Sequence, residues 1–174
     1  ADLPIDALVK RSVTVFITGS EYSGKKLKEL WNLPAGKVKN IPNTIISRPI
    51  VESKEQVRER LGISGHNVIL GTVGVLELRK GHEYLIKGFS LLRDLYKNFS
   101  DLTLIIEGVG PEKEKLHDFA RSLEFENQII FLENEKNIFD ILNTLDVFIL
   151  PSIENEDFPN VILEAMSLGK PIIG

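Results

Sequence analysis

Two carboxylates near the C-terminus, Glu156 and Glu164, are separated by the seven residues Asp157-Phe158-Pro159-Asn160-Val161-Ile162-Leu163. The apolar run 146–150 leads in as a buried strand. Asn160 can cap a helix, and Val161, Leu163, Ala165 and Met166 supply that helix with a packed face. This places Glu156 in the loop and Glu164 in the first helical turn. A helix start offers unpaired backbone N–H groups and the positive end of the helix dipole, which collect anions. Carboxylates accept hydrogen bonds from hydroxyls, so a polyol diphosphate suits this corner chemically. Taken alone, a Glu at a helix start simply stabilises the dipole, and 154–157 reads equally as an acidic surface loop.

A second candidate is Gly74-Val75-Leu76-Glu77-Leu78-Arg79-Lys80-Gly81-His82, after the apolar run 68–73. Lys80 stands where a helix begins, an unfavourable place for a cation unless an anion joins it. A flexible loop ending in a cation is a plausible phosphate clamp; a solvated Lys-Arg turn is the plain alternative. Gly108-Val109-Gly110-Pro111 follows a third apolar run; its glycines let backbone approach a ligand closely, and a plain strand-to-helix turn is the alternative. His82 reads as a surface residue at a helix entry, and no Asp-x-Asp pair suggests a metal.

The elements that must position these residues alternate. Strands are predicted at 13–18, 38–42, 68–73, 102–106, 128–132, 146–150 and 171–173. Helices are predicted at 20–31, 54–61, 81–96, 111–124, 137–145 and 160–168, with Leu116, Phe119, Ala120 and Leu123 on one helical face. Residues 44–53 read as a connection. Continuous apolar strands separated by helices imply an α/β fold, a doubly wound parallel sheet covered on both faces. In such sheets ligands gather at the carboxyl ends of the strands, and each motif above follows a strand.

Composition narrows the chemistry. The 174 residues are 43% hydrophobic and 26% charged, as in ordinary globular proteins, and the net charge of −4 argues against nucleic acid as a partner. With no cysteine there are neither disulfides nor thiolate metal sites. The opening Ala1-Asp2-Leu3-Pro4 lacks a signal pattern, and the closing Pro171-Ile-Ile-Gly174 reads as a strand cut at its exit, so a piece of a longer protein is expected.

Residues 151–166 resemble the Glu-x7-Glu signature of the retaining glycosyltransferases of GT-B fold, the group 1 family, which includes lipopolysaccharide, capsule and mannosyl transferases and glycogen synthase. That family writes Pro-Ser-x-x-Glu-Gly-Phe-Gly, then a helix opening on Glu-Ala; here Asp157 and Pro159 replace the two glycines. Its clamp reads Gly-Arg-Leu-x-x-x-Lys-Gly; Lys80 matches the Lys, and Val75 replaces the Arg. Thr44 stands where the family has Gly after 39–43. The likeness covers nearly the whole chain and is strongest over 68–174.

The resemblance implies a Rossmann-like architecture, with 1–45 as the end of an acceptor domain and its linker, and 46–174 as the donor-binding domain, truncated at its C-terminus. It implies a nucleotide-diphosphate sugar as donor, UDP- or GDP-linked, with no metal or other cofactor. Lys80 and Glu156 would act in catalysis. Glu164, Gly74, Gly108, Gly110, Phe158, Asn160 and Val161 would bind the donor. A glycan or lipid-linked acceptor would meet an N-terminal domain outside this chain. The setting would be cytoplasmic, with peripheral contact of the full-length protein at the inner membrane face. Two rivals share the architecture: a nucleotide-sugar-binding scaffold that has lost activity, and an epimerase of nucleotide sugars.

Overall fold

In the computed structural model, residues 4–125, 127–154 and 156–174 are described; Ala1-Asp2-Leu3, Glu126 and Asn155 lie outside them. The chain forms two packing units. One comprises residues 1–44 with 156–160, the other 45–155 with 161–174.

The first unit carries α1 (Pro4–Ser12), β1 (Phe16–Thr18), α2 (Glu21–Trp31) and β2 (Val38–Asn40). The strands pair in parallel, Phe16 opposite Val38. Ser20 caps α2, its hydroxyl oxygen accepting the Ser23 N–H at 3.1 Å, and Trp31 meets Phe16 edge-on at 5.5 Å. Helix α1 has no counterpart among the predicted elements. It is short, and Ile5 and Leu8 are both 65% exposed, so no buried stripe marked it.

The second unit contains α3 (Lys54–Arg60), β3 (Val68–Val73), α4 (His82–Leu95), β4 (Leu102–Glu107), α5 (Lys113–Ser122), β5 (Ile129–Leu132), α6 (Ile138–Thr144), β6 (Val147–Ile149), α7 (Asn160–Ser167, its first residue belonging to the other unit) and β7 (Ile172–Ile173). Five parallel strands run in the order β5-β4-β3-β6-β7. Every residue of β4 is buried, as expected where helices cover both faces of a sheet. Its alternate side chains feed separate layers. Leu104 and Ile106 join Ile86, Phe89, Leu116 and Phe125, whereas Ile105 joins Ile69, Ile141, Leu142, Phe148 and Ala165. Burying one such side chain contributes roughly 1.5–3 kcal/mol, so these two layers hold the helices against both faces of the sheet.

Chain order runs outward from β3 to β4 and β5, then returns to β6 on β3's other side. The crevice between β3 and β6 is therefore the switch point, where the loops after adjacent strands diverge and leave room for a ligand. The connection 44–53 is tied to α6. Asp140 accepts the Val51 N–H at 2.8 Å, and Asn137 donates to the Pro49 carbonyl at 3.0 Å.

Candidate functional site

The loop after β3 reaches the switch point in two stages. Residues 74–76 extend beside the exit of β4: Gly74 N–H donates to Glu107 O and Leu76 N–H to Val109 O, both at 2.9 Å. A Cβ on Gly108 would stand 2.9 Å from the Gly74 carbonyl carbon, and one on Gly110 would stand 2.7 Å from that of Leu76. Gly108 and Gly110 thus have a structural reason of their own, the close pairing of two loops. Around Gly74 nothing lies within 4 Å of an added Cβ, so its outer side is open.

The chain then makes a 3-10 turn, Leu78–Lys80, ending on Gly81 at φ +69. Gly81 is required twice over. Its conformation is left-handed, and a Cβ would stand 2.9 Å from the carbonyl carbon of Pro151, two residues beyond β6. Arg79 O accepts the Ile153 N–H at 2.9 Å. The turn that carries Lys80 is therefore fixed by backbone against residues 151–153, just beyond β6. Arg79 itself pairs with Glu77 at 2.9 Å, and Val75, in the place of the family's arginine, is 47% exposed.

His82, expected at the surface, is instead only 3% exposed, with Nδ1 unpaired. Burial, helped by the nearby Lys80 charge, lowers its pKa from 6.5 to about 4. The imidazole is therefore neutral throughout the physiological range and adds no charge to the turn. Its helical neighbours Leu85, Ile86 and Phe89 are buried too. The first turn of α4 therefore dives into the core, which the polar run before it did not signal.

Glu164 lies on α7, which begins at Asn160 and has no acidic residue in its first turn. The expectations that Asn160 caps the helix and Glu164 sits in its first turn are both corrected. The helix starts one residue earlier, so at 3.6 residues per turn Glu164 enters the second turn, where the dipole reward has faded. Burial raises the Glu164 carboxyl above its ordinary pKa, against the pull of Arg48. A half-buried carboxylate without a dipole role is costly to keep charged. Val161 packs on the core layer that contains Ala165.

Arg48 was not among the sequence candidates, since a single arginine in a connection carries no spacing signal. It lines a cleft of about 720 Å³ with Glu133, Asn134, Asn137 and Asp140, beyond the carboxyl end of β5. Glu133 is engaged by Lys113 at 2.6 Å.

In the first unit, Glu156 is half-buried. Asp157 accepts the hydroxyl of Ser20 and, at 2.6 Å, that of Ser23. Phe158 O accepts from Asn43 Nδ2 at 2.9 Å. Among the described residues, no group of three His, Asp or Glu side chains could hold a metal, and no helix is long and apolar enough to cross a membrane.

Residues 53–174 match the model of a protein family described as glycosyl transferases group 1. The putative glycosyltransferase EpsF of Bacillus subtilis is 27% identical over 169 residues, 95% of this chain and 43% of its own length. An uncharacterized glycosyltransferase of Haemophilus influenzae is 33% identical over 107 residues, 62% of this chain and 29% of its own. Among solved structures, Anabaena HepE in complex with UDP-glucose superposes with a TM-score of 0.82 at 25% identity, covering 95% of this chain and 46% of that one. WaaG, involved in lipopolysaccharide biosynthesis, gives 0.80 at 19% identity, covering 95% of this chain and 47% of that one. The chain spans less than half the length of each of these relatives.

Proposed function

The chain belongs to the group 1 glycosyltransferases, and we propose that it is the donor-binding part of a retaining enzyme that moves a sugar from a nucleotide diphosphate to a saccharide or lipid-linked acceptor. One observation carries this reading: the Lys80 turn is fastened by backbone to the exit of β6 at the switch point of the sheet. That is where an open parallel sheet takes a phosphorylated ligand.

Transfer breaks the bond between the anomeric carbon and the donor phosphate through an oxocarbenium-like state, and negative charge grows on the leaving diphosphate. Lys80 and the N–H groups opening α4 and α7 stabilise that charge as preorganised electrostatics, without a metal. Glu164 accepts from the ribose hydroxyls, and the 720 Å³ cleft beside Arg48 receives the nucleoside. Glu156 orients the transferred sugar, and the Gly74 loop with backbone of 158–161 completes the donor contacts. Attack from the leaving-group face retains configuration. The carboxylates serve donor hydroxyls; they are not a hydrolytic acid–base pair, whose members flank a glycosidic bond.

The donor is UDP- or GDP-linked; the UDP-glucose bound by HepE supports the former. Residues 1–45 form the end of the acceptor domain and 46–174 the donor domain. The acceptor itself meets a domain outside this chain, so the isolated chain does not turn over. The full-length enzyme works in the cytoplasm, at the inner face of the membrane.

A second reading is favoured by the exposed Val75: a relative that binds nucleotide sugars without transferring them. Calorimetry of the full-length protein with a panel of nucleotide sugars, paired with a transfer assay, separates the two. Binding with turnover supports the enzyme, binding without turnover supports the scaffold, and no binding refutes both.

A further inference from the structure

We infer that Asp157 is a positioning residue: it fastens segment 156–160, and with it the backbone of Glu156, to the N-terminal end of α2. This rests on the transferase reading of Glu156.

The attachment is specific. One carboxylate oxygen of Asp157 accepts two hydroxyls, from Ser20 and from Ser23, the latter at 2.6 Å. Ser20 is committed on its other side, its oxygen capping α2 through the Ser23 N–H at 3.1 Å, so the hydroxyl proton has one direction left and Asp157 occupies it. A carboxylate at this position also meets the positive end of an eleven-residue helix. Gly19 closes the arrangement from below, since a Cβ there would stand 3.2 Å from Asp157 Oδ2 and 3.4 Å from Phe158 Cβ. The next residue is held as well, by Asn43 Nδ2 on the Phe158 carbonyl at 2.9 Å. Two consecutive residues are thus gripped by side chains from positions 20, 23 and 43, and Glu156 immediately precedes them.

Burial does not explain Asp157, which is exposed. The two hydroxyls hold its carboxyl below the ordinary carboxylate range, so the ionised form is the one recognised. The glycine that the family pattern has at this position offers no acceptor for Ser20 and Ser23. A loop anchored at 157 and 158 leaves Glu156 little freedom. That is the property a group orienting a sugar during transfer needs, because small misplacements of reacting groups are costly in rate.

The test uses the full-length enzyme with steady-state kinetics and calorimetry. Asp157→Ala should lower kcat about tenfold or more and weaken the donor Kd by clearly less, since one charge-assisted anchor is lost while Asn43 still holds the Phe158 carbonyl. Asp157→Asn, which keeps an acceptor oxygen, should recover most of the rate. Ser23→Ala, which removes a hydroxyl without altering the loop, should lower kcat in the wild type but less than about twofold in the Asp157→Ala background, as expected for partners in one network. Wild-type kcat in Asp157→Ala, an equal loss of Kd, or additive effects with Ser23→Ala would overturn the inference while leaving the transferase reading intact. Failure of the wild type itself to turn over any nucleotide sugar defeats that reading and this inference together.

Discussion

Replacing Gly81 by alanine should separate backbone placement from side-chain chemistry at the site. At φ +69, a residue with a Cβ costs about 1–2 kcal/mol. The added carbon would stand 2.9 Å from the Pro151 carbonyl carbon and 3.2 Å from Ile153 Cγ2. Because the obstruction is backbone, the Lys80 turn must move away from the β6 exit. The Ile153 N–H to Arg79 O bond at 2.9 Å would then be strained or lost, at about 1 kcal/mol. The expected destabilisation is about 2–3 kcal/mol, read as a fall in urea midpoint at unchanged slope. Affinity for a nucleoside diphosphate should fall about ten- to a hundred-fold, since a displaced Lys80 forfeits a contact worth roughly 1.5–3 kcal/mol. Gly74→Ala is the control: its Cβ meets nothing within 4 Å, and stability should hold within about 0.5 kcal/mol. Full affinity in Gly81→Ala would show that the turn does not place the phosphate cation.

Lys80→Ala should weaken nucleoside diphosphate binding about ten- to a hundred-fold in calorimetry and leave the bare nucleoside unaffected; equal losses for both would exclude a phosphate role. Val75→Arg restores the second clamp cation from an exposed position and should tighten diphosphate binding about tenfold, whereas a scaffold that recognises its ligand elsewhere would not respond. Glu164→Gln should weaken nucleotide-sugar binding at neutral pH while stability stays level or rises, because a carboxyl with a raised folded pKa makes ionisation a cost above that pKa. Wild-type affinity should likewise fall on acidification at a higher pH than an ordinary glutamate would dictate; unfolding of the Gln variant would instead return Glu164 to a purely structural role. His82 is a base whose folded pKa is lowered, from 6.5 to about 4. The unfolded chain therefore takes up a proton before the folded one, and stability drops as pH falls through that window, by up to about 3 kcal/mol. His82→Gln should flatten that part of the pH–stability curve, and an unchanged slope would mean the imidazole is not the group responsible.

Much of this architecture is written in local pattern. Val68–Val73 is a strand with the predicted ends, and Ser53 and Gly62 bracket α3 as a capping box and a left-handed glycine at φ +68. Such features depend on neighbours in sequence and on burial of a continuous apolar run, so composition reveals them. The parallel pairing was legible too, since strands alternating with helices call for crossover connections. Illegible were the contacts between distant residues. Nothing around Ser20 or Ser23 announces a partner at position 157, and nothing around Arg48 announces Glu164. His82 looked like a surface residue because its polar neighbours precede it, while the face that buries it is completed by α4 packing on the sheet.

The departures from the family pattern are therefore better understood by position than by number. Pattern alone makes Asp157 a lost glycine and a mark against activity. In the structure its carboxylate gathers the hydroxyls of Ser20 and Ser23 at the start of a helix, which a degenerating loop would have no reason to retain. Val75 has no such compensation: it is exposed and apolar beside the turn, and the nearest alternative cation, Arg79, is taken by Glu77 at 2.9 Å. The two substitutions thus point in opposite directions, one toward a loop held by different means and one toward a weaker grip on phosphate. On the proposed reading, an enzyme with looser donor capture and a well-held Glu156 segment satisfies both. A scaffold relieved of catalysis would leave the anchoring of the residues after Glu156 without a purpose.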